Sequence, residues 1–371
     1  MFPRELSQRA AQAARVFGGR VDPHASSVPG SGTARVARFS GGLLAIAVLC
    51  GCAAEPAPPL PALAIDADRI AVAGLSSGAY MATQVHFAWS DRLRGAALVA
   101  GGPYGCAGGS LDTALGPCIE AKPFTPDPER LAKKLRERAV RGDIAPLSGL
   151  AGDRVWLLHG REDQVVAAAV VDSAQQLYRQ LGADAPGLTV TRETGDFGHV
   201  LPTLLAGADC VAGGPPHLGA CGRDAAGEAM QALFGEPGAE AGEASGELRR
   251  FGQEAYLEPG QDAQLAVDGY LYLPAACAAG ERCGLLVAFH GCEQNADRVG
   301  EAFVRDAGFN RWADVHRVVV LYPQARSSYL PLNPKACWDW WGYTGPDYDT
   351  RRGAQLRWLA SAMAAIGAPL Q

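Results

Sequence analysis

The short apolar run Ile70-Ala71-Val72-Ala73 leads straight into Gly74-Leu75-Ser76-Ser77-Gly78, and a helix-forming stretch over residues 81–89 follows. A β-prone run, Gly-x-Ser-x-Gly and a helix, in that order, form the pattern of a nucleophile elbow. In such an elbow a serine sits on a strained strand-to-helix turn with its hydroxyl exposed. Glycines are needed at 74 and 78 because side chains there would crowd the turn and the helix packed behind it. The frame selects Ser76 over Ser77, because only Ser76 has a glycine two residues away on each side.

The chain around the elbow alternates β-prone and helical runs. Residues 69–73, 95–100, 154–158, 187–192, 284–289 and 317–322 read as strands. Residues 81–89, 126–142 and 170–181 read as helices, the second of them charged and on the surface. This alternation predicts α/β architecture, a mostly parallel sheet with helices on both faces, and with the elbow it predicts an α/β-hydrolase fold. Residues 255–257 and 269–273 read as a pair of antiparallel strands. Small and acidic residues over about 235–248 mark an internal linker. With 371 residues, nearly half of them hydrophobic, the chain has enough apolar material for one large core. The formal charge is only −6 with no basic cluster, which argues against a nucleic-acid partner.

Arg35 and Arg38 precede an apolar run over 41–49 that ends in Leu49-Cys50-Gly51-Cys52. Positive flank, short apolar core and small residues make a secretory signal, too short to span a membrane. Leu-x-Gly-Cys resembles a bacterial lipobox, which would make Cys52 the acylated first residue of a membrane-anchored protein on the periplasmic or cell-surface side. Ordinary cleavage near Ala53, giving a secreted protein without lipid, is the alternative. The expected organisation is therefore an N-terminal extension and signal over 1–52, a Pro-rich tether over 53–65 and one catalytic domain over 66–371. Export permits disulfides. Beyond Cys50 and Cys52, eight cysteines remain. Cys106 and Cys118, Cys210 and Cys221, and Cys277 and Cys283 are near neighbours, leaving Cys292 and Cys337. The even count fits pairing, although spacing alone does not fix connectivity and some could be free buried thiols. No metal-type Cys-x-x-Cys spacing occurs, and neither metal nor organic cofactor is expected.

A serine hydroxyl needs a base within hydrogen-bond reach, and the base needs an acid to hold its tautomer. In α/β-hydrolases they follow in the order Ser, acid, His, on loops after successive strands. Asp163 lies just after the strand ending at 158, and His199 lies in the loop after the next strand. Both should emerge at the carboxyl edge of the sheet with Ser76. Glu162 could stand in for Asp163, whereas Asp153 precedes its strand and Asp196 has no assigned role. His217, in a Pro-Gly-rich loop, is the main rival to His199; His24, His86, His159, His290 and His316 fit less well. Backbone N–H groups of Ser77 and Cys292, the latter in His290-Gly291-Cys292, are the expected oxyanion donors. That second loop normally precedes the nucleophile, yet here it follows the histidine. A circular permutation accounts for this order: residues 250–340 supply the early strands and 69–200 the later ones.

Gly74-Leu-Ser-Ser-Gly-Ala-Tyr-Met81, Leu157-Leu-His-Gly-x-x-Asp-x-x-Val166, Gly198-His199, Phe289-His-Gly-Cys292 and Cys337-Trp-Asp-Trp-Trp-Gly-Tyr343 together resemble the poly(3-hydroxybutyrate) depolymerases with a permuted catalytic domain. The resemblance runs from about residue 66 to the C-terminus. It implies the triad Ser76, Asp163 and His199, the oxyanion donors Ser77 and Cys292, and hydrolysis of 3-hydroxyacyl esters through an acyl-enzyme. The substrate would be poly(3-hydroxybutyrate) or its soluble oligomers. Trp338 and Tyr80 are the expected substrate contacts, because aromatic side chains suit an apolar polyester. Other ester hydrolases on the same scaffold, acting on feruloyl or acetyl groups, are the alternative, and a non-catalytic polymer-binding lipoprotein is the alternative of another class.

Overall fold

Strand β1 (Ile65–Leu75) runs into the centre of the protein, and its last six residues are buried. A strand covered on both faces reads as continuous apolar sequence, as 70–73 does. In the computed structural model, which describes residues 57–204 and 207–370, this strand is flanked by β2 (Gly95–Val99) and β9 (Cys283–Phe289), both parallel to it. The signal, Cys52, His24 and the start of the Pro-rich tether lie outside the described residues. Farther along the tether, the Leu60 N–H donates to Tyr256 Oη at 2.6 Å and the Leu63 N–H to the Ile366 carbonyl at 3.0 Å.

The remaining strands are β3 (Arg154–Gly160), β4 (Thr189–Gly195), β5 (Leu201–Thr203), β6 (Leu218–Ala220), β7 (Glu247–Gly252), β8 (Asp268–Leu273) and β10 (Val318–Tyr322). Eight strands form one sheet in the order β4-β3-β2-β1-β9-β10-β8-β7, and β5 and β6 pair apart from it. The six strands from β4 to β10 are parallel, and β8 and β7 add antiparallel pairs at one edge. The long helices are α1 (Ser77–Ala88), α2 (Pro128–Arg141), α3 (Ala168–Gln180), α4 (Ala225–Phe234), α5 (Phe309–His316) and α6 (Ala354–Ile366).

Alternate residues of a strand point to opposite faces, and the two faces bury two cores. Val72, Leu98, Leu157, Val287 and Leu321 pack with α1, α2, α3 and α6. Ala73, Val99, Leu158, Ala288 and Val320 pack with α4 and α5. The expected mostly parallel sheet with helices on both faces is therefore present. Helix α2 shows how local sequence sets its ends. The Asp127 carboxylate caps the Glu129 and Arg130 N–H groups, Pro128 opens the helix, and Gly142 closes it at φ 74°.

The antiparallel pair differs from expectation in one strand. β8 pairs with 247–252, in register from Glu247↔Leu273 to Gly252↔Asp268, while Gln253–Tyr256 forms a 3₁₀ turn. The charged run Glu247-Leu-Arg-Arg hides a strand that needs burial on one side only, since it closes the sheet edge. The last two residues assigned to the linker, Glu247 and Leu248, belong to this strand.

Candidate active site

The elbow has the conformation its glycines permit. Ser76 adopts φ 55° and ψ −121°, and its N–H donates to the Val99 carbonyl at 2.8 Å. A Cβ on Gly74 would lie 2.3 Å from the Gly78 carbonyl carbon. One on Gly78 would lie 2.3 Å from the Phe289 carbonyl oxygen and 2.5 Å from that of His290. The start of α1 thus seats directly on the end of β9. Ser76 is partly exposed while its neighbours on both sides are buried.

Two further loops leave the same sheet edge. The one after β3 carries Asp163, and the one after β4 carries His199. Backbone bonds zip them together: the Arg161 N–H donates to Gly195 O at 2.8 Å and the Glu162 N–H to Phe197 O at 3.1 Å. Gly160 permits this closeness, since a Cβ there would stand 2.0 Å from the Phe197 carbonyl oxygen. Across the zip, His199 Nδ1 donates to Asp163 Oδ2 at 2.8 Å. His199 Nε2 lies 2.9 Å from Ser76 Oγ. A carboxylate can only accept, so the imidazole proton sits on Nδ1 and the Nε2 lone pair faces the serine.

The Asp163 side chain is fully buried. Burial pushes its carboxyl up, but the His199 hydrogen bond and charge, with N–H donors from Val166 and Val165, outweigh burial and hold it below the usual range. Those two N–H groups reach Asp163 Oδ1 at 2.9 and 2.8 Å. His159 sits behind the acid, Nε2 at 2.8 Å from the Val166 carbonyl. Glu162 is exposed, and the exposed Asp196 pairs with Arg161. His217 lies near His199 but outside the Ser-His-Asp line; burial, then the neighbouring His199, lowers its pKa.

Ser77 is the first residue of α1, where helix geometry leaves an N–H without an intrahelical acceptor. Cys292 lies in the turn after β9. Its N–H has no hydrogen-bond partner among the described residues. The adjoining Gly291 packs about the elbow, an added Cβ meeting Leu75 at 3.5 Å. His290 is buried and braces this loop. Its Nδ1 donates to Gly291 O at 2.7 Å, its Nε2 accepts from the Ala325 N–H at 3.1 Å, and burial lowers its pKa to about 4.

The eight cysteines form the pairs Cys106–Cys118, Cys210–Cys221, Cys277–Cys283 and Cys292–Cys337. The last joins the Cys292 turn to the aromatic segment. That segment carries Trp338, one of the two expected substrate contacts. Trp338 is only 1% exposed. It packs edge-on against Phe289, and its indole N–H donates to His290 O at 3.0 Å. It therefore holds the His290 loop from behind. Tyr80 is also buried, its hydroxyl on the Cys118 carbonyl and its ring stacked 4.1 Å from Trp340. Burial, then the Asp163 charge, raises its pKa. The partly exposed member is Trp341, edge-on to Trp340 at 5.6 Å. The triplet of tryptophans signals an aromatic wall, but not which ring is on the outside. Gln294, which also contacts this loop, has no signal in the sequence, standing between the polar Glu293 and Asn295.

The family model described as Esterase PHB depolymerase matches residues 267–365. A poly(3-hydroxybutyrate) depolymerase of Delftia acidovorans is 36% identical over 314 residues, covering 83% of this chain and 62% of its own length. A polyhydroxybutyrate depolymerase of Talaromyces funiculosus is 33% identical over 328 residues, covering 83% of this chain and 92% of its own. Among solved structures, a PHB depolymerase complexed with an R3HB trimer superposes with TM-score 0.75 at 31% identity, over 84% of this chain and 100% of that one. The PHB depolymerase of Penicillium funiculosum gives 0.73 at 31% identity, over 84% and 98%.

Proposed function

Since the chain belongs to the poly(3-hydroxybutyrate) depolymerase family, we propose that it is an exported serine esterase cleaving poly(3-hydroxybutyrate) or 3-hydroxybutyrate oligomers. The observation that carries this reading is the line Ser76 Oγ, His199, Asp163, with links of 2.9 and 2.8 Å.

In the proposed reaction His199 Nε2 takes the proton of Ser76 Oγ as that oxygen attacks the ester carbonyl. The N–H groups of Ser77 and Cys292 receive the developing oxyanion. Collapse breaks the ester C–O bond, and His199 returns its proton to the departing 3-hydroxyl oxygen. Water, deprotonated by the same imidazole, then attacks the acyl-enzyme and frees the acid, restoring the Ser76 hydroxyl. Asp163 stays ionised throughout and stabilises the imidazolium.

The strand order supports a circular permutation. The nucleophile strand β1 comes first, although the strand carrying the Cys292 turn lies beside it and follows by about two hundred residues. Four disulfides favour an oxidising compartment. Acylation at Cys52 would tether the protein to a membrane, and a fatty-acid label retained by Cys52→Ser would exclude it. Among the described residues no helix is long and apolar enough to cross a membrane.

The decisive assay sets purified protein against poly(3-hydroxybutyrate), soluble 3-hydroxybutyrate oligomers, and feruloyl and acetyl-sugar esters. Release of 3-hydroxybutyrate units, abolished in Ser76→Ala, is expected. Turnover of the feruloyl and acetyl esters alone would overturn the substrate; unchanged turnover by Ser76→Ala would overturn the mechanism.

A further inference from the structure

One buried amide connects the turn after β9 to the loop before β6. Gln294 is completely inaccessible to solvent. Its Oε1 accepts the Gly291 N–H at 2.7 Å, and its Nε2 donates to the Pro216 carbonyl at 3.0 Å. Gly291 adjoins Cys292, the proposed oxyanion donor. Pro216 adjoins His217, whose carbonyl accepts the Leu201 N–H at 2.9 Å. Leu201 opens β5, two residues after His199, and pairs with Leu218 of β6.

The other braces on the 290–293 turn run elsewhere: His290 Nε2 takes the Ala325 N–H, and three more go to one segment. Trp338 Nε1 holds His290 O, the Cys292–Cys337 disulfide holds the turn itself, and the Glu293 N–H donates to Lys335 O at 2.6 Å. All three reach the 335–338 segment. Gln294 reaches the opposite way, to the histidine side, across 78 residues of sequence. A carboxamide suits the place because it accepts on one atom and donates from the other. Loss of the amide would strand the buried Gly291 N–H and the part-buried Pro216 C=O together.

From this bridge we infer that Gln294 is a positioning residue that sets the spacing between the oxyanion turn and the catalytic histidine. The inference rests on the esterase reading above. It acts in the transition state: the turn must present its N–H where the oxyanion forms, and a shift of about 1 Å there costs on the order of 100-fold in rate. Ground-state binding of an ester does not depend on that alignment.

Two variants test it, with p-nitrophenyl butyrate as substrate and a serine-directed phosphonate to count competent Ser76. Gln294→Met keeps the side-chain length and removes both hydrogen bonds. It should lower kcat about 10- to 100-fold with KM within threefold and the titratable Ser76 fraction unchanged. Gln294→Glu keeps the Gly291 acceptor, and while protonated it also donates to Pro216 O. It should work near the wild-type rate on the acid side and gain a new falling limb in kcat as the added carboxyl ionises. That limb also keeps the inference testable should Gln294→Met fold poorly. A kcat for Gln294→Met within threefold of wild type overturns the inference, as does a loss fully matched by lost titratable Ser76 together with a Gln294→Glu profile parallel to wild type. Ser76→Ala, run alongside, separates the two levels. Activity surviving in it removes the esterase reading and this inference with it, whereas an inactive Ser76→Ala beside an unimpaired Gln294→Met removes the positioning role alone.

Discussion

Ser76 keeps φ 55° and ψ −121°, a backbone state that costs a serine roughly 1–3 kcal/mol. The cost is met by its surroundings: the Val99 carbonyl holds its N–H, and Gly74 and Gly78 let β1, α1 and β9 approach to contact. Asp163 is over-determined in the same way. Two backbone N–H groups fill one carboxylate oxygen and His199 Nδ1 fills the other. Asp163→Asn tests what the charge contributes beyond shape. Its amide oxygen keeps the Val165 and Val166 donors, which turns the amide nitrogen toward His199 Nδ1. A donor facing Nδ1 forces the imidazole proton to Nε2, where it removes the base. Turnover should fall by about four orders of magnitude with little change in the thermal midpoint. A loss below tenfold would show that His199 does not depend on Asp163 for its tautomer.

At the scale of elements, one loop stands out beside the site. Residues 328–333 close on themselves through paired backbone bonds between Ser328 and Asn333. Asn333 Oδ1 accepts the Cys337 N–H at 3.0 Å, which roots the loop at the Cys292–Cys337 disulfide. Its tip exposes Tyr329, Leu330 and Leu332 by 83, 94 and 55%. Three exposed apolar side chains on one short loop mark a contact surface. If the substrate is solid polyester, replacing all three with Ser should depress film erosion at least tenfold and leave soluble ester turnover within twofold. Equal loss on both substrates would place the loop in folding instead. Much of the element plan was legible beforehand, because buried parallel strands write themselves as apolar runs and each functional loop begins where one ends. The hydrogen-bonded line Ser76, His199, Asp163 was legible for that reason, Asp163 and His199 following β3 and β4. The features that the sequence leaves unmarked lack a local period. Strand β7 carries Arg249 and Arg250 at an exposed edge, Trp338 differs from Trp341 only by which way the segment turns, and Gln294 is set apart only by its bonds to Gly291, three residues away, and Pro216, 78 residues away.

On the scale of the whole molecule, an eight-stranded sheet with both faces covered encloses histidines as well as apolar side chains. Burial lowers the pKa of His290, His217 and His316, so each stays neutral in the fold and charges more readily in the unfolded chain. The sign follows from linkage. Between the ordinary imidazole value of 6.5 and the folded value of about 4 for His290, the unfolded state binds more protons. Stability is therefore complete above about pH 6.5, falls as the pH drops through this window, and levels off for His290 below about 4. Each pH unit within it removes up to about 1.4 kcal/mol through His290, on the order of 3 kcal/mol over the whole window. The lowered carboxylate Asp163 works at still lower pH, its contribution vanishing only as the pH falls below the ordinary 3.8. Protonation of His290 also removes the acceptor of the Ala325 N–H, so acid should loosen the turn beside Cys292 before the sheet yields. Thermal midpoints measured from pH 8 to 4 should fall steeply below about 6.5 in the wild type. His290→Gln, whose amide can donate to Gly291 and accept from Ala325 without titrating, should flatten that descent even if it lowers the neutral-pH midpoint. Parallel descents for the two proteins would mean that His290 is not the group whose burial makes the fold acid-sensitive.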